Sequence, residues 1–374
     1  MAGIYLHIPF CKQACHYCNF HFSTSTALKD KFVAALLQEI ELTKKYVDEG
    51  ISTIYFGGGT PSILDLSDIA LILQALHKNW AVDANAEITL EANPDDITIE
   101  KLTGWKSLGI NRLSIGVQSF FEEDLVWMNR VHTAMQAEEC IALATQAGFD
   151  NLTIDLIYGT PTLSDAHWKK NVDMAMGLNI AHLSCYALTV EPKTALEKLI
   201  ANQTKPNINP ETQARHFELL MQWTEEAGYE HYEISNFAKP GKRSRHNSAY
   251  WQGKSYLGLG PSAHSYNGYA RRWNVSNNAV YIASLMKNEL PYEEEILTKQ
   301  QQMNEYVMTS LRTMEGINLS KIKEDFGEKL CDEMLQSAAK YMNSGNLIVE
   351  QNWIKTTPKG KLLADGIAAA LFVL

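Results

Sequence analysis

Three cysteines lie close together in Tyr5-Leu-His-Ile-Pro-Phe-Cys11-Lys-Gln-Ala-Cys15-His-Tyr-Cys18. The C-x3-C-x2-C spacing supplies three thiolates and no fourth. A structural zinc ion takes four ligands, and iron–sulfur clusters that only carry electrons are held by four cysteines. Three thiolates on one short loop suit a [4Fe–4S] cluster that leaves one iron open, and an open iron can bind a substrate directly. The plainer reading is three ordinary cysteines near a chain end, and the downstream residues weigh against it. Cys140, Cys185 and Cys331 are scattered through regular segments and read as small buried hydrophobes. The six cysteines form no disulfide framework, and the pattern suits a reducing cytosol.

Other residues could serve the same chemistry. Gly57-Gly58-Gly59-Thr60-Pro61 follows an apolar strand, where glycines let the backbone approach a ligand. On its own this is as easily a tight turn. Glu91 and Asp155 are carboxylates on apolar strands, and a buried charge needs a partner; a structural salt bridge is the bland alternative. Arg130 matches a carboxylate in geometry, and Gln118 offers an amide. Farther on, Arg245-His246-Asn247-Ser-Ala-Tyr250-Trp251 brings a histidine together with two flat aromatic faces. Lys242, Arg243 and Arg245 could pair with an anionic group. The alternative is a solvated basic loop with a structural histidine.

These residues need elements to position them. Strands are expected at Ile4–Ile8, Thr53–Phe56, Glu87–Glu91, Arg112–Gly116, Thr153–Ile157 and His182–Ala187. Helical periodicity covers Leu28–Val47, Ser67–Trp80, Glu122–Ala147, Ser164–Met176 and Pro210–Ala227. Six βα units predict an α/β fold with a parallel sheet, open or curved into a partial barrel. Chemistry in such folds sits at the carboxyl ends of the strands, where Gly57–Pro61, Glu91, Gln118 and Asp155 fall. The expected division is residues 1–235 for this unit, 236–292 for an irregular connecting segment, and 293–374 for a mostly helical, winged-helix-like unit with a small β hairpin. The methionines of that last unit read as core.

With 374 residues and 45% hydrophobic content, the chain can bury a large core. A formal charge of −10 gives no footing for nucleic acid. The apolar start Ile4–Phe10 is too short for a secretory signal. The apolar end Gly366–Leu374 falls short of the ~20 residues of a membrane span. The expected setting is cytoplasmic, with peripheral contact at the membrane left open.

The three-cysteine loop resembles that of radical S-adenosylmethionine (SAM) enzymes, in which the open iron takes the amino and carboxylate groups of SAM. The resemblance narrows with Gly57–Pro61, Gly116-Val-Gln-Ser119, Asn129-Arg130 and Ile154-Asp-Leu-Ile-Tyr-Gly159. Together these are similar to the oxygen-independent coproporphyrinogen III oxidase superfamily. The resemblance implies a partial (βα)6 barrel, a [4Fe–4S] cluster on Cys11, Cys15 and Cys18, and SAM contacts at Tyr5, Tyr17, Gly58, Gly59, Thr60, Glu91, Gln118, Arg130 and Asp155. Within the superfamily, three features point to the HemW-type heme chaperones. Phe20 stands where the oxidase has a further cysteine. Ten residues precede Cys11, where the oxidase has a longer extension. H-N-x-x-Y-W is a motif of the chaperones. That branch implies heme binding at His246, Asn247, Tyr250 and Trp251, an electron donor for the cluster, and delivery of heme to heme-accepting proteins, among them respiratory proteins at the membrane. The oxidative decarboxylation of coproporphyrinogen III is the first alternative, and radical-SAM chemistry on an unrelated substrate the second.

Overall fold

The computed structural model describes residues 1–373. Six parallel strands run in sequence order through its centre: β1 (Ala2–Ile8), β2 (Ile51–Gly58), β3 (Val82–Ala92), β4 (Arg112–Gln118), β5 (Leu152–Tyr158) and β6 (His182–Ala187). The crossovers carry α1 (Lys29–Thr43), α2 (Leu66–Asn79), α3 (Ile99–Ser107), α4 (Glu122–Met128), α5 (Ala134–Gln146) and α6 (Asp165–Gly177). After β6 come α7 (Ala195–Ala201) and α8 (Pro210–Glu226). Strand alternation explains the layering. Ile4, Leu6 and Ile8 of β1 are wholly buried with Ile54, Phe56, Leu113 and Ile154 in the core shared with the helices. The intervening residues are polar or small: Tyr5 and His7; Thr53, Tyr55 and Gly57; Glu87 and Glu91; Ser114; Asp155. The curved parallel sheet is a partial (βα)6 barrel with a polar interior.

The long helix expected over Glu122–Ala147 is two helices. Asn129 adopts the left-handed conformation at φ 60° and ends α4. A new N-terminus then forms at Thr133, whose side chain and that of Gln136 cap each other's backbone. The helical period continues through the break, so only the turn chemistry marks it. The break delivers Arg130 to the barrel mouth.

The segment 236–292 is not irregular. β7 (Glu230–Glu233) and β8 (Asn236–Ala238) extend the sheet antiparallel beyond β6. Then come α9 (Arg245–Trp251), β9 (Tyr256–Leu259), β10 (His264–Tyr266), β11 (Ala270–Asn274), α10 (Asn278–Leu285) and β12 (Tyr292–Ile296). β9 pairs parallel with β1, and β10–β12 follow, giving a twelve-stranded sheet. Close approach requires glycine here: a Cβ on Gly258 would sit 2.0 Å from the His264 carbonyl oxygen. Buried Glu39 of α1 fastens the extension, accepting from Gly260 N (2.7 Å), Asn274 Nδ2 (2.6 Å) and the Tyr281 hydroxyl (2.5 Å).

The C-terminal unit has its own core around Met303, Val307, Leu311, Ile322, Met334 and Leu371. It comprises α11 (Lys299–Leu311), β13 (Ile317–Asn318), α12 (Leu319–Phe326), α13 (Glu328–Asn343), β14 (Leu347–Glu350), β15 (Trp353–Thr356), α14 (Pro358–Lys361) and α15 (Ala364–Ala370). The expected hairpin β14–β15 gains a third strand, because β13 pairs with β15. Among the described residues no helix is long and apolar enough to cross a membrane.

Candidate cluster and cofactor site

The loop after β1 carries the three cysteines and is pinned at both ends. Cys11 N donates to Ser23 O, His16 N to Met128 O, and Gln13 Nε2 to Asn129 O, at 3.0, 3.1 and 2.9 Å. Lys12 Nζ bonds Asp95 at 2.7 Å. All three thiols are free and face one cavity of about 620 Å³ at the carboxyl ends of the strands. The Thr60 hydroxyl donates to Cys11 Sγ (3.5 Å), and Arg130 Nη1 to Cys15 Sγ (3.3 Å). Burial pushes the Cys11 thiol up to about 11 and raises Cys18 as well. Such thiols ionise when a cation compensates them, so metal binding would release protons. Among the described residues no three His, Cys, Asp or Glu converge tightly enough for a single metal ion. A polynuclear cluster, whose thiolates bind separate irons, has no such requirement.

Eight of the nine residues expected to contact SAM line this cavity: Tyr17, Gly58, Gly59, Thr60, Glu91, Gln118, Arg130 and Asp155. The ninth, Tyr5, does not. Its hydroxyl lies 3.2 Å from His7 Nδ1 and its ring stacks on Tyr55, centroids 6.1 Å apart, deeper in the barrel. The glycine loop is tight: a Cβ on Gly59 would sit 2.7 Å from the Phe10 carbonyl oxygen and 3.0 Å from Cys11 Sγ. Gln118 adopts φ 66°, a left-handed conformation unusual for a side-chain residue and common at functional sites.

Glu91 and Asp155 each keep a little surface toward the cavity and are enclosed by protein otherwise. That enclosure pushes Glu91 up to about 8 and Asp155 up to about 6. Glu91 Oε1 accepts from the Tyr55 hydroxyl at 2.8 Å, and Ser114 Oγ lies 3.5 Å from Asp155. Among the described residues neither carboxylate has a salt-bridge partner. Arg130 bonds Asn93 Oδ1 (2.8 Å) and Gly116 O (2.9 Å) through Nη2, while its buried Nε has no partner. Two enclosed carboxylates and one unsatisfied guanidinium nitrogen fit a ligand that carries ammonium, hydroxyls and carboxylate together. Asn93 belongs to the site and could be read in Glu91-Ala-Asn-Pro94. Arg312 and Asp365 reach the cavity rim from the C-terminal unit, and no local pattern announces them.

The four residues expected to hold heme are not gathered on one surface. α9 closes the amino-end floor of the barrel. Its first N–H groups, from Arg245 and His246, both donate to Glu87 at 3.0 Å. His246 Nδ1 lies 2.8 Å from Thr53 Oγ1, and the ring stacks on Tyr55 at 5.0 Å. Burial holds the imidazole down to about 4, so it is neutral. Asn247 borders a small polar cavity of about 40 Å³ that also touches Glu91 and Asp155. Tyr250 is exposed, whereas Trp251 is half-buried, its indole nitrogen enclosed and without a partner among the described residues. Their rings meet edge to face at 5.2 Å, and the Arg312 guanidinium lies 5.2 Å from the Trp251 ring.

Fold and cavity together define a radical-SAM protein: a partial barrel with three thiols over a polar pocket at its carboxyl end. Residues 5–175 match the Radical SAM superfamily and residues 297–363 the HemN C-terminal domain. The solved structure of Escherichia coli coproporphyrinogen III oxidase (HemN), described as a radical SAM enzyme, superposes with a TM-score of 0.87 at 26% identity, covering 100% of this chain and 90% of that one. The heme chaperone HemW of Bacillus subtilis is 34% identical over 375 residues, 99% of each chain. That of E. coli is 37% identical over 270 residues, 70% of this chain and 69% of its own. The chain belongs to the HemW family within the radical-SAM superfamily.

Proposed function

We propose that the protein receives heme and passes it to heme-dependent proteins, with a [4Fe–4S] cluster and SAM as resident cofactors. The observation that carries this reading is the likeness to a heme chaperone along 99% of the chain at 34% identity. Cys11, Cys15 and Cys18 would hold the cluster, which when bound would supply low-potential electrons for SAM chemistry. The chain's own part is electrostatic. Arg130 pairs with the carboxylate of SAM and Glu91 takes its amino group. Asp155 accepts from the ribose, and Tyr17, Gly58, Gly59, Thr60 and Gln118 shape the remaining wall. Tyr55 holds Glu91 in place by donating to Oε1. An electron donor meets the cluster loop at the cavity mouth, beside exposed Phe20. The recipients we have in mind are heme-requiring respiratory proteins at the membrane. As heme contacts the family motif offers His246, Asn247, Tyr250 and Trp251. His246 would have to give up Thr53 and its stack on Tyr55 to ligate iron.

The second reading is the oxidase, favoured by the 0.87 TM-score with the E. coli oxidase. One experiment separates the two. The anaerobically reconstituted protein is given coproporphyrinogen III, SAM and reductant, and in parallel hemin and an apo-heme protein. Heme uptake and transfer without porphyrinogen turnover is the expected result. Formation of protoporphyrinogen, with no heme transfer, would replace the chaperone reading by the oxidase.

A further inference from the structure

Asn93 follows β3 and precedes Pro94, and the proline keeps it extended, at φ −84° and ψ 146°. The turn beyond is fastened to both neighbouring loops. Asp96 accepts from the Ser62 hydroxyl at 2.7 Å, and the Asn93 N–H donates to the same hydroxyl oxygen at 3.3 Å. Lys12, between Cys11 and Cys15, bonds both Asp95 and Asp96. The backbone at Asn93 is thereby fixed relative to the cysteine loop, and the residue lines the cofactor cavity.

The side-chain amide has two different ends, and both are used. Arg130 carries only donors, so the atom that meets its Nη2 at 2.8 Å is the amide oxygen. The amide nitrogen then faces Thr60 and donates to Oγ1 at 3.4 Å. A hydroxyl whose oxygen accepts from Asn93 still has its one proton to give, and Cys11 Sγ lies 3.5 Å away. The guanidinium, held by the amide oxygen and by Gly116 O, turns Nη1 to Cys15 Sγ at 3.3 Å. One side chain therefore aims two donors at two of the three cysteine sulfurs. Hydrogen bonds to the sulfurs and the charge around them set the reduction potential of an iron–sulfur cluster. A donor or a cation at a sulfur favours the state with more negative charge, which is the reduced one.

We propose that Asn93 is a positioning residue for reduction of the cluster: it holds Thr60 on Cys11 and Arg130 on Cys15, and so sets how easily the cluster takes up an electron. The inference rests on the cluster reading above. The step concerned is the uptake of one electron from a low-potential one-electron donor, with no bond made or broken in the chain. Arg130 Nε, without a partner among the described residues, stays available for the carboxylate of SAM. One guanidinium thus serves the sulfur and the cofactor together, and Asn93 fixes its place for both.

The test is a redox titration of the anaerobically reconstituted full chain without SAM, with dithionite as reductant, followed by bleaching of the cluster's visible absorption. Variants are compared at equal iron content. Thr60→Val keeps the shape and removes the hydroxyl. It should make the cluster about tenfold harder to reduce, which for one electron is a midpoint about 59 mV more negative. Thr60→Ser should restore the parent midpoint. Asn93→Leu frees both donors and should move the midpoint further in the same direction. A structural role alone would lower stability or iron content and leave the midpoint of the loaded protein unmoved. Should Asn93→Leu take up no cluster, Thr60→Val against Thr60→Ser decides, because Thr60 reaches Cys11 through the hydroxyl that Asn93 orients. A parent midpoint in Thr60→Val, or in loaded Asn93→Leu, overturns the proposal. A parent chain that takes up no four-iron cluster overturns the cluster reading itself, a different result from the other two.

Discussion

Glu87 and Glu91 stand on the same face of β3, two pleat repeats apart, and meet opposite ends of the barrel. Glu87, at the floor, accepts two backbone N–H groups from the start of α9, both at 3.0 Å. Helix N-termini favour negative charge, so this carboxylate has its counterpart built in. Glu91, at the mouth, has a tyrosine hydroxyl and no cation, and enclosure pushes it up to about 8. The same side chain on the same strand is a fastener at one end and, at the other, a carboxyl without a cation that burial keeps mostly protonated at neutral pH. A buried carboxyl left without a partner charge is retained at a cost, and its place beside three thiols and Asp155 suits it to a cationic ligand. The floor completes itself from the chain; the mouth is completed from outside.

The largest effect should come from the mouth. Cys11→Ala, Cys15→Ala and Cys18→Ala should each abolish the roughly 400 nm thiolate-to-iron absorption of the reconstituted protein. No other cysteine lines the cavity to substitute, since Cys140, Cys185 and Cys331 are buried elsewhere. A full four-iron complement in Cys15→Ala, by iron analysis, would remove the cluster assignment and with it the contrast.

Next in size are the carboxylates. Losing a charge-assisted hydrogen bond costs about 1.5–3 kcal/mol, so Asp155→Ala and Glu91→Gln should weaken SAM binding roughly ten- to a hundredfold. The sign of the proton effect follows from the raised group. With Glu91 at about 8, the carboxyl is mostly protonated at pH 7 in the free protein. It must ionise to meet an ammonium. SAM binding at pH 7 should then release close to one proton, read by calorimetry in two buffers of different ionisation enthalpy. Glu91→Gln should release none. Equal release from both proteins would mean that Glu91 faces no cation.

Much of the mouth could be read in the sequence because its parts are local. Cys11–Cys18 lie on one loop, and Gly57–Pro61, Glu91 and Asp155 each follow or end a strand whose apolar alternation is plain. Parallel strands then bring them together. What escaped reading was non-local or left-handed. β9 belongs to the sheet because Gly3 pairs with Tyr256, a contact that no window of sequence contains. The break at Asn129 is a single residue at φ 60° inside a continuing helical period. Tyr5 sits one layer below the cavity, a depth set by the stagger between strands. Met303 and Met334 are core as their period suggests, while Met308 and Met314 are 41% and 40% exposed on the same kind of pattern. In H-N-x-x-Y-W, a helix of seven residues sets His246 against Tyr55 and Trp251 against Arg312, so adjacency in sequence overstated their convergence.

The smallest effect should come from the floor, and it sharpens the comparison most. Glu87→Gln keeps one acceptor oxygen and turns an amide donor toward N–H groups that are themselves donors. The variant should lose about 1–2 kcal/mol of stability, on the scale of a hydrogen bond to a charged group together with the helix-terminus charge effect. A denaturant titration measures it, with the midpoint falling and the slope unchanged. SAM affinity should stay within about twofold, because Glu87 acts on α9 and meets no cavity residue directly, whereas the glutamate at the mouth is predicted to control the same affinity by a charge-assisted contact. The link between the two ends runs through His246 and Tyr55, whose rings stack at 5.0 Å. A Glu87→Gln variant that loses SAM as Glu91→Gln does would show that this stack transmits the state of the floor to the mouth. The two glutamates would then be one device, and α9 a part of the cofactor site.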